Sequence, residues 1–169
     1  MTITIREPKI TDATALIQLF KKLDSETTFM LFEPDERSFS IESQQQKITQ
    51  FLNTENRQML VAATNQQVVG IVVGNGGNAR RNRHVLSIAI GIEQAFAGQG
   101  LGFQLMQAIE VWAVGQNFHR TELTVMAHNL PGISLYTKCG YEKEGVKRHS
   151  IKVDGKYVDE IQMAKLLVV

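Results

Sequence analysis

Val85-Leu86-Ser87-Ile88-Ala89-Ile90-Gly91-Ile92, then Glu93-Gln94-Ala95-Phe96, then Ala97-Gly98-Gln99-Gly100-Leu101-Gly102-Phe103 is the stretch from which the rest of the chain can be read. It opens as an apolar, β-branched run of strand length. It closes by entering a helix whose apolar face is Leu101, Leu105, Met106, Ile109, Trp112 and Ala113. Between the two stand glycines 98, 100 and 102. Without a Cβ they let the backbone turn sharply and come close to a ligand. The N–H groups at the start of the helix, together with its dipole, favour an anion there. Two phosphate motifs are excluded by spelling. A P-loop ends in Gly-Lys-Ser/Thr, whereas Gly102 is followed by Phe103-Gln104, and the dinucleotide fingerprint is G-x-G-x-x-G rather than G-x-G-x-G. A glycine-rich turn that binds nothing is the bland alternative on this segment alone.

Outward from it, the upstream chain reads as strand 2–6, then a helix capped by Thr11 or Asp12 with Ala13, Leu16, Phe20 and Leu23 inward. A loop over 25–40 and a helix over Ile41–Leu52 follow, the latter with Ile41, Ile48, Phe51 and Leu52 as its buried side. Strands 58–63 and 67–73 flank a turn at Thr64-Asn65-Gln66, and Gly74-Asn75-Gly76-Gly77-Asn78 reads as a second turn. Downstream come strand 121–126, a short helix opened by Pro131 and ended near Gly140, and a hairpin of 141–153 and 156–167 across Asp154-Gly155. The order β-α-α-β-β-β-α-β-α-β-β predicts an α/β (mixed α+β) fold, a central twisted mixed sheet flanked by helices.

The chain has 169 residues, 43% hydrophobic and 21% charged, which suits a folded single domain over 1–169. Lysine and arginine number 18 against 17 acidic residues, a net charge of +1 that argues against nucleic acid or an anionic membrane as partner. Cys139 is the only cysteine, so neither an intrachain disulfide nor a cysteine-rich zinc site is available, and no metal is expected. Met1–Pro8 lacks the apolar core of a signal peptide, and no run approaches the roughly 18 apolar residues of a membrane span. The expected location is cytoplasmic.

A second motif follows strand 121–126: Asn129-Leu130-Pro131-Gly132-Ile133-Ser134-Leu135-Tyr136, then Cys139-Gly140-Tyr141. Taken alone, Asn129 is a helix cap and Tyr136 a packed aromatic. Together with the glycine loop, in this element order, the two segments resemble the GNAT family of N-acetyltransferases. The closing stretch, Tyr141-Glu142-Lys143-Glu144-Gly145 to Asp154-Gly155-Lys156-Tyr157-Val158-Asp159, resembles its branch of amino-acid and ribosomal-protein N-acetyltransferases. Two positions depart from the family pattern: Ala97 stands where glutamine or arginine is usual, and Gly132 where alanine is common.

The resemblance implies acetyl-CoA as cosubstrate and a small-molecule or peptidyl amine as acceptor. It implies that Ala97, Gly98, Gln99, Gly100, Leu101, Gly102 and Phe103 hold the pyrophosphate by backbone N–H groups. Ile90, Gly91 and Ile92 would pair with the pantetheine arm, and Asn129 would bond it. Tyr136 takes the position of the acid that protonates the departing thiolate. A primary amine is mostly protonated at neutral pH, so a proton acceptor is needed, and Glu93 and then His84 are the candidates. Glu33, with Glu26, Phe29 and Phe32, is expected on the acceptor wall. Polyamine or protein N-terminal acetylation, a CoA-binding module without turnover and a nucleotide binder are the alternatives, and the edges of the C-terminal hairpin can pair two copies into a homodimer.

Overall fold

The computed structural model describes residues 1–168. The chain runs β1 (Thr4–Arg6), α1 (Ala13–Glu26), α2 (Ile41–Leu52), β2 (Arg57–Ala63), β3 (Val68–Gly76), β4 (Val85–Ile92), α3 (Leu101–Gly115), β5 (Arg120–Met126), α4 (Leu130–Lys138), β6 (Glu142–Val153) and β7 (Lys156–Leu166). The strands form one seven-stranded sheet in the order β1-β2-β3-β4-β5-β7-β6. Neighbours are antiparallel except β4 and β5. Parallel strands need a crossover, and α3 supplies it.

Helices cover both faces. On one, Leu101, Leu105, Met106, Ile109 and Ala113 of α3 pack with Leu86 and Ile88 of β4 and Leu123 and Val125 of β5, and Tyr136 and Cys139 close this core. On the other, Ala13, Leu16, Leu19 and Leu23 of α1 and Ile48 of α2 pack on Met59, Val61 and Ile71 of β2 and β3. Residues two apart on a strand therefore serve the same layer.

Three local readings change. Asp12 makes no side-chain cap on α1; its carboxylate instead accepts from Arg6 Nη1 (2.7 Å) and from the Lys9 backbone N (2.6 Å), tying β1 to the helix start. The inner stripe of α2 is Gln44, Ile48 and Phe51, at i, i+4, i+7 spacing, while Ile41 (51%) and Leu52 (42%) lie at its margins and are exposed. The glycines at 74 and 76 belong to β3 rather than to a turn. A Cβ on Gly76 would stand 2.7 Å from the Asn56 carbonyl oxygen, so glycine there permits close backbone approach, and the chain reverses later, between Gly77 and Val85.

Candidate active site

β4 and β5 part company halfway along. Only Val85–Ser87 pair with Arg120–Glu122. Beyond that point β4 stays with β3 as far as Ile92, and β5 stays with β7 as far as Met126. The bonds Gly77 N to Val85 O and Glu93 N to Val69 O put the odd-numbered residues of β4 in register with β3. Ile88, Ile90 and Ile92 thus turn their N–H and C=O groups into the gap. On the other side, Ala127 N to Asp159 O and Leu167 N to His119 O set the same alternation, so Thr124 directs its N–H and C=O into it and Met126 its N–H, while the Met126 carbonyl accepts from Asn129 N (2.9 Å). A wedge edged by unpaired backbone groups is a place for an extended, amide-bearing ligand to pair as a strand would. Of the predicted trio, Ile90 and Ile92 face the wedge with their backbone. Gly91 bonds toward β3, and a Cβ on it would lie 2.7 Å from Leu23 Cδ1, so it lets α1 pack closely on β4.

The glycine loop sits where β4 ends. Gly98 (φ 72°) and Gly100 (φ 80°) are left-handed, and a Cβ on either would meet nothing within 4 Å. They are glycines because of backbone conformation, and they leave the space before them clear. Gly102 differs: its Cβ would stand 2.9 Å from Leu135 Cδ2 and 3.2 Å from Ile92 Cδ1, so it lets α3 approach α4 and β4. The first α3 bond runs from Gln104 N to Gly100 O, leaving the N–H groups of Leu101, Gly102 and Phe103 without helical partners. Lys138 Nζ lies 5.3 Å from the centre of the Phe103 ring, adding a cation beside them. The Gln99 amide turns back onto the Ala95 carbonyl (3.2 Å) and stiffens the loop. Ala97 is corrected: its N–H already donates to the Gln94 carbonyl (3.1 Å), in a 3-10 turn over Gln94–Phe96, so it is not a free donor.

Asn129 caps α4, its Oδ1 accepting from Gly132 N at 3.0 Å. Its amide nitrogen makes no hydrogen bond to protein among the described residues and can donate outward. Tyr136, about two turns on, is 8% exposed, with its ring 6.2 Å from that of Tyr141. Burial pushes its phenol up to about 12. Burial also raises the Cys139 thiol, the next group on this surface.

The acid–base candidates are corrected by position. Glu93 is buried, its carboxylate bonded to Lys22 Nζ of α1, which makes it a tie between α1 and the end of β4. His84 lies at the opposite end of β4. Its carbonyl accepts from His119 N and Arg120 N, and its ring faces that of His119 at 6.3 Å, so it is no part of this site. Glu33 is exposed, in a turn with Glu36, its N–H donating to Glu36 Oε2 (2.8 Å). Of the same loop, Phe29 packs at 5.1 Å on the ring of His128, whose Nε2 is 3.3 Å from Thr28 Oγ1. Phe29 is one of the residues expected on the acceptor wall, whereas Thr28 and His128 were not singled out from sequence. Thr28 and His128 border a cavity of about 520 Å³ whose other wall is His149, Tyr157 and Asp159 of the C-terminal hairpin. His149 has φ 52° at a break in the β6–β7 register; its ring stacks on Tyr157 (5.5 Å) and its N–H donates to Asp159 Oδ1 (2.8 Å). A bulge of this kind re-aims a side chain. The cavity begins at Ala127 and His128, immediately after the β5 edge of the wedge.

A glycine cradle, a strand-lined wedge and a cavity beyond it define a two-substrate transferase with an extended, anion-headed donor. Residues 18–141 match the acetyltransferase (GNAT) family. The chain is 32% identical over 108 residues to the L-amino acid N-acetyltransferase AaaT of Escherichia coli, covering 63% of this chain and 67% of that protein. It superposes on an acetyltransferase of the GNAT family from Streptococcus pneumoniae with a TM-score of 0.93 at 27% identity, covering 99% and 100% of the two chains. It also superposes on yncA of Salmonella typhimurium, a structure with acetyl-CoA, with a TM-score of 0.86 at 18% identity over 99% and 95%. The chain belongs to the GNAT acetyltransferase family and is an acetyl-CoA-dependent acyltransferase.

Proposed function

We propose that this protein transfers an acetyl group from acetyl-CoA to the primary amine of a small molecule such as an amino acid, by direct attack with both substrates bound. The observation that carries the reading is the splayed β4–β5 pair, with a left-handed glycine cradle following β4 and a separate cavity following β5. The fit of the donor is physical. Gly98 and Gly100 leave clear space before them, Leu101, Gly102 and Phe103 offer three helix-start N–H groups to a pyrophosphate, and Lys138 adds charge. Ile90 and Ile92 on one edge and the Asn129 amide on the other have hydrogen bonds to give the pantetheine arm. Acetyl-CoA, when bound, supplies the activated thioester.

The amine gives its ammonium proton to solvent and attacks the thioester carbonyl. As the C–N bond forms and the C–S bond breaks, Tyr136 protonates the departing sulfur and is restored through water by the proton the new amide nitrogen releases. Burial keeps the Tyr136 phenol protonated throughout the working pH range, so the proton is in place when negative charge develops on sulfur. A phenol at about 12 is a weak donor toward an ordinary thiolate. The surroundings that raise it also raise a thiol beside it, as Cys139 shows, which narrows the mismatch. Glu93 has a positioning role, holding α1 to β4 through Lys22. The amino-acid reading is supported by the likeness to AaaT, an L-amino acid N-acetyltransferase. A peptide N-terminus is the second reading, favoured by the exposed Tyr157 (63%) at the cavity rim, where a longer chain could leave.

The test is thiol release from acetyl-CoA over a panel of amino acids, amino-acid amides, spermidine and short peptides. Release with amino acids or their amides supports the reading. Release with peptides alone selects the second, and acetyl-CoA binding with no release from any amine overturns both.

A further inference from the structure

Glu160 is a mostly buried carboxylate on the acceptor side of the wedge, and nothing in the fold engages it fully. Strand alternation locates it. On β5, Leu123 and Val125 face the α3 layer, so Thr124 and Met126 face the other side, the side on which Leu23 of α1 packs against Gly91. Cross-strand partners share a face, and β7 sets Glu160 directly opposite Met126, the last β5 residue at the wedge. Two residues toward the hairpin, and so on the same face of β7, Val158 lines the cavity, as do Asp159 and Ala127 alongside. Glu160 therefore stands between cavity and wedge. Its side chain is 14% exposed, and the cation within 4 Å of it among the described residues, Lys147 on β6, is 3.7 Å away and itself 49% exposed. That is a Coulombic contact longer than a hydrogen bond. No side chain or backbone group among the described residues donates a hydrogen bond to the Glu160 carboxylate.

We propose that Glu160 receives the acceptor's ammonium group, which gives up one proton to solvent before it attacks, so the cavity selects amines that arrive as cations. The inference rests on the acetyltransferase reading above. A carboxylate held back from water by the sheet and short of donors gains most from an N–H-rich cation, and three ammonium protons supply the missing hydrogen bonds. Lys147 is held too far off to satisfy it and exposed enough to swing aside. The contrast with Glu93 is direct: that carboxylate already has its lysine in hydrogen-bond contact.

The experiment compares wild type with Glu160→Gln and Lys147→Met, using whichever panel amine gives the highest kcat/KM with wild type, and measures acetyl-CoA Kd in parallel. Glu160→Gln is expected to raise the amine KM about tenfold or more, the scale of a lost charged hydrogen bond. Its acetyl-CoA Kd should stay within about twofold. Lys147→Met should leave the amine KM unchanged or lower it. An unchanged KM in Glu160→Gln overturns the proposal. Equal KM increases in the two variants also overturn it, because they would mark a cross-strand pair that only supports the wall. If Glu160→Gln fails to bind acetyl-CoA or to melt cooperatively, Glu160→Asp carries the test: the retained but withdrawn charge should raise KM by a smaller factor, and no change overturns the proposal. Wild type that binds acetyl-CoA but acetylates no panel amine overturns the acetyltransferase reading and this inference with it.

Discussion

A Cβ on Gly132 would stand 2.6 Å from Asn129 Nδ2 and 2.9 Å from Asn129 Cγ, so the cap of α4 occupies the space an alanine would need. With glycine at 132 the Asn129 side chain keeps this placement. Gly132→Ala gains helix propensity of about 1 kcal/mol and loses a cap worth about the same. Net stability should therefore move by less than about 1 kcal/mol in a denaturant titration. The displaced Asn129 amide should nevertheless weaken acetyl-CoA binding several-fold by calorimetry. Unchanged affinity would show that the amide does not reach the donor.

Tyr136→Phe keeps the ring packed against Tyr141 and removes only the hydroxyl. If that hydroxyl donates to the leaving sulfur, kcat should fall by about 100-fold or more while acetyl-CoA Kd holds. A kcat within a few-fold of wild type would remove Tyr136 from the acid role. The raised phenol also has a stability signature. A group whose folded value lies above its unfolded one contributes stability that is full below the unfolded value, about 10, and is lost as pH rises toward the folded value, about 12. Wild type should therefore lose stability between those limits more steeply than Tyr136→Phe. Tyr141, also raised by burial, leaves a residual slope in both.

Gly100 has open space around a Cβ but φ 80°, so a substitution there acts through the backbone and through what enters the cradle. Gly100→Val should cost about 1–2 kcal/mol from the left-handed conformation. It should also raise acetyl-CoA Kd about tenfold or more by standing in front of the helix-start N–H groups. Melting temperature and calorimetry separate the two effects, and a destabilised variant with normal affinity would take the loop out of donor binding.

The parts of this site that sequence makes visible are those set by neighbours along the chain. Gly98 and Gly100 announce a left-handed turn before a helix, Asn129 and Pro131 announce a helix start, and Asp154-Gly155 announces a hairpin whose residues do take positive φ. What stays hidden depends on strands distant in sequence. Glu93 looks like an exposed base because Lys22, 71 residues earlier, is what buries and pairs it. Glu160 reads as one more strand carboxylate until the β5–β7 register sets it opposite Met126. The pairing of His128 with Thr28 and Phe29 likewise needs the loop after α1 to fold over the end of β5. The departure at Ala97 is visible as a letter, but the bond its N–H makes to Gln94 emerges only from the 3-10 turn.

Glu93→Gln distinguishes a tether from a base. As a tether, the carboxylate holds Lys22 and so fixes α1 against the last residue of β4, close to Gly91 and Leu23. Its bond raises the Lys22 ammonium above its ordinary value. A lysine raised on folding contributes stability that is full below its unfolded value, about 10.5, and is lost as pH climbs through the folded one. The wild-type advantage over Glu93→Gln should therefore be flat from pH 6 to 9 and shrink above about 10.5. Acetylation should keep the wild-type shape of its pH profile, with any loss of rate the same at every pH. Were Glu93 the proton acceptor for the amine, its removal would instead abolish the acid limb of the kcat/KM profile. A flattened acid limb in Glu93→Gln, with stability intact, would return the residue to the chemistry.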